Sequence, residues 1–404
     1  MKKLYTGNTM TSICLNMIVK NESHIIEETL ENICQHIQLA YWVISDTGST
    51  DNTVEIIKNF FEKKKIAGEI KHQPWVNFGY NRNAALKACM GKSDYILFFD
   101  ADDRFNGDFK LPVLDKDAYH FNMTNEGISV KYQRKLLIKN NGKHYWKGVL
   151  HEFLATSGTV ETAHIEGDYA VISGRKGHRS QDPNKYLKDA QLLEKAIQDQ
   201  VDPDLVARYS FYCAQSYRDA AKPEQAIEWY KKRTELGDWN QEIYISFVQL
   251  GLLYEQKNQI MEALYYWQRG VSVDPARSEC WYHLARRHNW DKHYDLALCF
   301  AEKAQVLALP KGNKLFLNND IYQYWCHYEV CINAFQLNQK NIAYQAFKQL
   351  LKNAPEGLVK RVIPQLNAYR TLIENDRFSE VQQMIQHLDR LGFKVQAQMV
   401  QQFT

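Results

Sequence analysis

Three aspartates follow an apolar run near residue 100 and are the strongest candidates for chemistry in this chain. The run from Tyr95 to Phe99 is typical of a buried strand and leads directly into Asp100, Ala101, Asp102 and Asp103. Unpaired charge beside a core is strongly disfavoured, so this placement favours a cationic ligand. Magnesium and manganese fit, because one or two carboxylates plus substrate phosphates hold them. The alternative is a strand that ends in a solvated acidic turn.

Alternating strands and helices precede these carboxylates and must position them. Apolar runs predict strands at 12–19, 41–44 and, more weakly, 69–72, and helical periodicity begins at Ile25, Val54 and Ala84. Polar clusters separate the strands from the helices at 20–23, 46–53 and 77–83. This alternation predicts an α/β domain with a mainly parallel sheet, whose ligands bind beyond the carboxyl ends of the strands. All the polar clusters fall at that edge.

These three clusters and the aspartates near residue 100 together resemble the family 2 glycosyltransferases of the Rossmann-like GT-A fold. The motifs are K-N-E-S at 20–23, D-T-G-S-T-D-N-T at 46–53, G-Y-N-R-N at 79–83 and F-F-D-A-D at 98–102. The resemblance implies a nucleotide-sugar donor, with a UDP-sugar expected, and a Mn²⁺ or Mg²⁺ ion. It places the donor at Asn21, Glu22, Asp46, Arg82, Asp100 and Ala101, and the metal at Asp102. For Asp51, helix capping is the preferred interpretation.

The segment at 143–152 supplies a candidate for the acceptor side. Its last residues, Gly148, Val149, Leu150, His151 and Glu152, resemble the G-x-V-H-E element of the same enzymes, with Leu150 in place of valine. An inverting transfer needs a general base within hydrogen-bond reach of the acceptor nucleophile. Glu152 is therefore the predicted base and His151 the second candidate. The alternative is a solvated glutamate at a strand end.

A glycine-rich basic loop follows the last predicted strand of this domain. Apolar or alternating runs at 119–123, 131–138 and 160–171 predict further, antiparallel strands, and residues 173–179 follow them. By resemblance, His178 completes the metal site, while Arg175, Lys176 or Arg179 neutralises the departing diphosphate. Cations between glycines suit an anion-binding loop. The alternative is a mobile basic loop.

From Tyr186 onward the sequence predicts amphipathic helices without strands. Phe247, Gly251, Ala263, Trp267 and Pro275 follow the tetratricopeptide spacing, and the pattern returns 34 residues later. We therefore expect two domains, a GT-A domain at 1–182 and an all-α tetratricopeptide-like solenoid at 183–404. Solenoids offer extended concave surfaces. This predicts a protein, peptide or glycan acceptor, or a homodimer formed through the repeats.

Composition and architecture narrow the functional class. The net charge of +3 over 404 residues gives no indication of a nucleic-acid partner. Eight cysteines without a C-x-x-C pair suit a reducing compartment, and the absence of a transmembrane-length apolar run predicts a cytoplasmic protein. The two-domain architecture resembles the bacterial peptide S-glycosyltransferases of the sublancin type. A non-catalytic nucleotide-sugar-binding scaffold and a nucleotidyltransferase are the alternatives.

Overall fold

The computed structural model describes residues 11–125, 132–174, 176–237, 239–311 and 314–403. The chain divides into two compact units, Met1–Lys222 and Pro223–Thr404, called here the N-terminal and the C-terminal unit. The predicted change from strands to helices falls near residue 183, and the first regular α-helix after it begins at Lys185. The two helices that follow residue 183 belong to the N-terminal unit.

The N-terminal unit begins with alternating strands and helices, as predicted. Its elements are β1 (Ile13–Val19), α1 (Ile26–His36), β2 (Tyr41–Asp46), α2 (Thr53–Lys64), β3 (Gly68–His72), α3 (Phe78–Ala88), β4 (Tyr95–Phe98), β5 (Arg104–Phe109), β6 (Ala118–Asn125), β7 (Tyr132–Lys139), β8 (His144–Lys147), β9 (Phe153–Thr156), β10 (Thr162–His164), β11 (Gly167–Ser173), α4 (Lys185–Gln198) and α5 (Val206–Asp219). Helix α3 begins six residues before the predicted Ala84, because the side chain of Asn77 caps it by accepting a hydrogen bond from Tyr80 N at 2.8 Å.

One mixed sheet forms the centre of this unit. Among the described residues its strand order is β3-β2-β1-β4-β7-β6-β11-β5, with β10 beside β6, and β8 and β9 form a separate hairpin. Strands β1 to β4 are parallel where they pair, so their carboxyl ends meet at one edge. Strand β11 pairs with β5 in antiparallel orientation, as predicted for 160–171. Strands β10 and β11 also pair with β6 in parallel, which corrects that prediction for these two pairings. Both faces of the first strands are buried, as helices cover them.

The C-terminal unit is helical in its described residues. It contains α6 (Pro223–Glu235), α7 (Asn240–Gln256), α8 (Ile260–Val273), α9 (Ser278–Trp290), α10 (Tyr294–Gln305), a π-helical turn (Ile321–Trp325), α11 (Cys326–Gln336), α12 (Lys340–Asn353), α13 (Glu356–Val362), a 3₁₀ segment (Ile363–Tyr369), α14 (Arg370–Glu374), α15 (Phe378–Arg390) and α16 (Lys394–Gln402). Helices α7 and α8, α9 and α10, and α11 and α12 pack as pairs. The tetratricopeptide-like repeat is confirmed. No helix among the described residues is long and apolar enough to cross a membrane.

The turn inside each of these pairs repeats the same backbone geometry. Asn258, Lys292 and Asn338 each adopt a positive φ, of 57°, 61° and 57°. Left-handed residues end a helix sharply and let the next one begin. This local geometry returns with the sequence repeat and explains why each pair closes tightly.

A small residue lets helices α7 and α8 approach each other, and its enlargement is expected to destabilise the C-terminal unit. A Cβ atom on Gly251 would lie 2.1 Å from Trp267 Nε1, and Trp267 is fully buried. We expect Gly251→Ala to lower the free energy of unfolding by about 1–3 kcal/mol, as overpacking usually does. The control is Gly357→Ala in α13, where no atom lies within 4 Å of the added methyl. Equal urea midpoints for both variants would contradict this packing argument.

Candidate active site

Three consecutive side chains of α3 fix the neighbourhood of the site. Asn81 accepts a hydrogen bond from Val76 N at 2.9 Å and donates to Pro74 O at 3.0 Å. Asn83 exchanges two 2.7 Å hydrogen bonds with the backbone of Trp146 in β8. The two asparagines therefore attach α3 to the preceding loop and to the β8–β9 hairpin. Arg82 lies between them and is held in one place.

Arg82 joins two carboxylates that lie 52 residues apart in the sequence. Its Nη2 lies 2.6 Å from Asp100 Oδ1, and its Nε lies 2.7 Å from Glu152 Oε1. The guanidinium carbon lies 4.8 Å from the ring centroid of Trp146, so a cation–π contact covers one face. The side chain of Arg82 is 8% exposed and that of Glu152 is also 8% exposed. The predicted donor and acceptor sides therefore meet at one buried cation.

The charges of this network are interdependent. Burial opposes ionisation of Asp100, but Arg82 and Arg134 together hold its pKa below the usual range. Burial likewise opposes the charge of Arg82, and the two carboxylates raise its pKa above the usual value. Arg134, in β7, lies 3.6 Å from Asp100 Oδ2. Asp100 therefore stays ionised although it lies among protein groups.

Close backbone contact between α3 and the loop 148–152 requires glycine. A Cβ atom on Gly79 would lie 2.3 Å from the carbonyl oxygen of Gly148, and Gly148 itself has a φ of +108°. Phe78 N donates to Val149 O at 3.1 Å in the same contact. The glycine of the G-Y-N-R-N motif thus lets α3 reach the segment that ends in Glu152.

A second cluster forms where the basic loop crosses the carboxylates. Asp102 Oδ2 accepts a hydrogen bond from Gly177 N at 3.0 Å, and both carboxylate oxygens of Glu22 lie 3.2 Å from His178 N. A Cβ atom on Gly174 would lie 1.9 Å from the carbonyl oxygen of Asp102. The structure therefore brings Glu22, Asp102 and the backbone of His178 together.

Crowding of negative charge shifts the pKa values in this cluster. Burial, with the charge of Asp102, raises the pKa of Glu22 to about 7, although the amide of His178 acts in the opposite direction. Burial and the charges of Asp100 and Asp102 raise the pKa of Asp103 to about 8. Asp103 also accepts a hydrogen bond from Gly174 N at 3.2 Å. A group of carboxylates whose ionisation is opposed in this way is a suitable environment for a cation.

The residues of the cluster fit a divalent ion that is held jointly with a substrate. Among the described residues, no group of three or more histidine, cysteine, aspartate or glutamate side chains forms a complete metal site. The hard carboxylate oxygens of Asp102 and Glu22 are the ligand type that Mn²⁺ and Mg²⁺ prefer, and these ions often take phosphate oxygens for the remaining positions. The donor set is thus compatible with the predicted ion, and the ligand roles of Asp102 and His178 remain predictions.

The raised pKa values of Glu22 and Asp103 predict a stability that falls as pH increases. A carboxyl group whose pKa is higher in the folded state binds more protons there, so folding is favoured at low pH and this advantage is lost as pH rises. The window runs from the usual values near 4 to about 7 for Glu22 and about 8 for Asp103. Without divalent cations, Asp103→Asn should flatten the fall of the urea midpoint between pH 5 and 8. The exposed Asp108→Asn is the control, and equal slopes in both variants would contradict the assignment.

The loops after β1 and β2 are joined by side-chain hydrogen bonds. Asn21, with a φ of 56°, accepts from Thr50 N at 2.7 Å, and its own N–H donates to Ser49 Oγ at 3.0 Å. Asp46 is 5% exposed; its Oδ1 accepts from Ser49 N at 3.0 Å and its Oδ2 lies 3.3 Å from His72 Nδ1. These contacts keep Asn21 and Asp46 at the carboxyl edge of the sheet.

Asp51 has a structural contact at the start of α2, in agreement with its preferred interpretation. Its Oδ1 accepts from Thr53 N at 3.1 Å, and its Oδ2 accepts from Ser23 N at 3.1 Å. Burial would raise its pKa, but the hydrogen bonds from Thr53 and Ser23 lower it to about 2. Both carboxylate oxygens therefore accept hydrogen bonds, one from the first turn of α2 and the other from the loop after β1.

Ala101 and Arg179, two further residues predicted to bind the donor, contact helices of the N-terminal unit. Ala101 is buried and its carbonyl oxygen accepts from Thr29 Oγ1 at 2.7 Å, so its backbone also contacts α1. Arg179 forms an ion pair with Asp189 of α4, and its guanidinium carbon lies 4.6 Å from the ring centroid of Phe78. Its charge is already balanced by protein. Arg175 lies outside the described residues.

His151 lies beside Glu152 but contacts helix α5. Its ring stacks on Tyr212, with centroids 3.9 Å apart. Burial, together with the positive charge of Arg208, lowers the pKa of His151. A weakly basic imidazole accepts a proton less readily, and Glu152 therefore remains the preferred candidate base.

Two contributors to the site were absent from the sequence expectations. Arg134 adds the second cation at Asp100, and the ring of Trp146 lies against the guanidinium of Arg82. Both stand in strands whose alternating pattern predicts only packing. The position of Trp146 just before the G-x-V-H-E element was a weak sequence signal that Trp146 lies at the site. For Arg134 the sequence offered no such signal.

Comparison with protein-family models finds a match within the N-terminal unit. The family model of glycosyl transferase family 2 matches residues 14–135. These residues contain the first four motifs together with Arg134. A comparison with curated protein sequences finds no match.

Solved structures resemble parts of the chain at low identity. TarS 1–349 from S. aureus, in complex with UDP-GlcNAc, is 14% identical, with 62% of this chain and 89% of that chain covered and a TM-score of 0.36. MamA is 16% identical, with coverages of 42% and 88% and a TM-score of 0.32. The N-terminal domain of stress-induced protein-1 from C. elegans is 17% identical, with coverages of 31% and 96% and a TM-score of 0.27.

Proposed function

We propose that this protein, whose residues 14–135 form a family 2 glycosyltransferase domain, is an inverting, metal-dependent glycosyltransferase that moves a sugar from a UDP-sugar to a protein, peptide or glycan acceptor. The observation that supports it most strongly is the position of Arg82 between Asp100 and Glu152. This buried ion network connects the edge where a nucleotide sugar would lie to the candidate general base.

The donor would bind at the carboxyl edge of β1, β2 and β4. Asp46 and either Asn21 or Glu22 would face the nucleobase, Asp100 and Ala101 the ribose, and Arg82 the base or the diphosphate. A carboxylate such as Asp46 accepts a hydrogen bond from an imide N–H. Uracil and thymine carry such a group, whereas adenine and cytosine do not. This chemistry supports a uridine or thymidine nucleotide over an adenosine or cytidine one.

The leaving diphosphate needs positive charge. Asp102 and His178 would hold a Mn²⁺ or Mg²⁺ ion, which when bound neutralises the phosphate oxygens. Arg175 and Arg179 would add cationic side chains on the same loop. Arg179 would first have to exchange its ion pair with Asp189 for one with phosphate, since its charge is balanced in the described structure.

Glu152 would carry the proton transfer. Only its Oε1 has a hydrogen-bond partner among the described residues, namely Arg82 Nε, so Oε2 is the oxygen that would face the acceptor. In the transfer, the acceptor O–H or S–H would give its proton to Oε2 while its oxygen or sulfur bonds to the anomeric carbon. The bond from that carbon to the diphosphate oxygen breaks, and its electron pair leaves with the diphosphate. One displacement of this kind inverts the anomeric centre.

The helical repeats would bind the acceptor or a second copy of the chain. Repeats expose an extended surface that can hold a peptide or protein, and the same surface could form a homodimer. All eight cysteines are free thiols, which supports a reducing compartment such as the cytoplasm.

A donor panel tests the proposal. The full-length protein is incubated with UDP-, GDP-, ADP- and TDP-sugars and Mn²⁺, and the released nucleotide is identified by mass spectrometry. Slow release of UDP that Asp102→Ala abolishes is the expected result. Transfer of the nucleoside monophosphate, with release of the sugar 1-phosphate instead of UDP, would indicate a nucleotidyltransferase. Tight binding without release from any donor, with or without candidate acceptors, would indicate a scaffold.

A further inference from the structure

The loop that carries Glu152 contains one residue, His151, whose backbone conformation is unfavourable. Gly148 has a φ of +108°, and His151, which is not glycine, has a φ of +52°. A residue with a side chain in the left-handed region is strained and persists only where its surroundings hold it. Neighbouring elements must therefore maintain the loop 148–152 in this conformation.

The first turns of α5 provide these contacts. The N–H of Val149 donates to Tyr209 Oη at 2.9 Å, and Arg208 Nη2 donates to His151 O at 2.9 Å. The ring of His151 stacks on Tyr212, with an interplanar angle of 14°. Residues 208, 209 and 212 lie on adjacent turns of one helix face. One face of α5 therefore binds the backbone and a ring of the loop.

Tyr209 is the central member of this face. It is 1% exposed, and its hydroxyl donates to the carboxylate of Asp202. Since its proton is given to Asp202, its oxygen lone pairs can accept from Val149 N. Burial, with the hydrogen bond to Asp202, raises the pKa of Tyr209 well above the usual value. The phenol stays neutral at any physiological pH and keeps both hydrogen bonds.

Helix α3 binds the carbonyl group of the same residue. Val149 O accepts a hydrogen bond from Phe78 N at 3.1 Å. Arg82, which stands four residues after Phe78 in α3, donates from its Nε to Glu152 Oε1. The N–H of Val149 thus binds α5 and its C=O binds α3. The loop lies between the two helices, and α5 stands outside residues 14–135 that match the family model.

We infer that Tyr209, supported by Arg208 and Tyr212, is a positioning residue that sets the place of Glu152 relative to Arg82. This inference rests on the proposed function. The three side chains contact the loop and not the reacting atoms, so they act through Glu152. A displacement of about 1 Å at a reacting group can cost about 10²-fold in rate. The first helices after the sheet are therefore part of the catalytic unit and not only of an acceptor-binding surface.

Tyr209→Phe in the full-length protein tests the inference, because it removes only the hydroxyl. We expect the turnover number for hydrolysis of the active donor of the panel to fall about tenfold to 10²-fold, with the affinity for Mn²⁺–UDP unchanged within about twofold. The matched control is Tyr217→Phe, which removes a hydroxyl of the same helix whose hydrogen-bond partner is Glu194. That control should keep the turnover number.

A second measurement does not need activity. With ¹⁵N-labelled arginine, the exchange of the Arg82 Nε proton with water reports directly on its hydrogen bond to Glu152. It should become faster in Tyr209→Phe and stay unchanged in Tyr217→Phe. Unchanged exchange in Tyr209→Phe, or equal effects of both variants, would overturn the inference. Failure of the wild-type protein to bind UDP or hydrolyse any donor would instead overturn the proposed function, and the exchange experiment would still decide the positioning role.

Discussion

Glu152→Gln is expected to lower turnover by about 10²- to 10⁴-fold, the usual cost of losing a general base, while donor and metal affinity stay nearly unchanged. Glutamine keeps an oxygen that can accept the hydrogen bond from Arg82 Nε, now 2.7 Å from Glu152 Oε1. The variant therefore removes proton acceptance and leaves the geometry of the network largely intact. Single-turnover rates and calorimetric donor affinity separate the two quantities.

Two other variants distinguish the loss of a general base from the loss of a binding residue. His178→Ala should weaken binding of Mn²⁺ and UDP together, because it removes a predicted ligand and not a proton acceptor. His151→Phe keeps a ring that can stack on Tyr212 but removes the second candidate base. Full turnover in Glu152→Gln together with a large loss in His151→Phe would transfer the role of base to His151. Weak donor binding in Glu152→Gln without a separate rate defect would make Glu152 a binding residue.

The sequence predicted the sheet and the edge where the site lies because both depend on local patterns. Apolar runs and polar loops alternate from Ile13 to Asp103, and each loop begins where a strand ends. Parallel strands then force these loops to one edge, so Asn21, Asp46 and Asp100 could be assigned to a common site before any contact was known. The repeats followed from their spacing in the same way.

Contacts across long sequence distances could not be predicted in this way. No periodicity relates Arg82 to Glu152, which is 70 residues further along the chain. Helix α3 was expected to begin at Ala84, but it begins at Phe78, because the side chain of Asn77 caps it. Gly79 lies inside the helix, since the backbone of Gly148 leaves no space for a larger residue there.

The extent of the first compact unit also depends on tertiary packing. The residue pattern changes from strands to helices near 183, whereas the unit continues to Lys222. Helical periodicity in α4 and α5 cannot show that Tyr209 binds the loop of Glu152. Packing on the N-terminal unit therefore assigns these helices to it, although their sequence is of the same kind as that of the repeats.

Arg82→Met is expected to destabilise the N-terminal unit by about 3–5 kcal/mol at pH 7, because it leaves the buried carboxylate of Glu152 without its cation and removes one of the two cations beside the partly exposed Asp100. Asp100 lies 2.6 Å and Glu152 2.7 Å from this guanidinium. Hydrogen exchange of the β1 and β4 amides measures the stability of this unit separately from that of the repeats. Methionine keeps much of the contact with Trp146, so the loss reports mainly on charge.

The dependence on pH and on partners distinguishes this explanation from a simple loss of packing. In the wild type, Arg82 lowers the pKa of Asp100, so Asp100 contributes stability above its usual pKa near 4 and loses it as pH falls further. Without Arg82, Asp100 takes up a proton at higher pH, and the loss of stability caused by Arg82→Met should shrink between pH 7 and 4.5.

Adding Glu152→Gln to Arg82→Met should restore part of the stability, since one unpaired charge is gone. The control is Arg134→Met. The side chain of Arg134 is 33% exposed and its Nη1 lies 3.6 Å from Asp100 Oδ2, so its loss should cost less than about 1 kcal/mol. Equal, pH-independent losses in both arginine variants would mean that Arg82 supports the site by packing and not by charge.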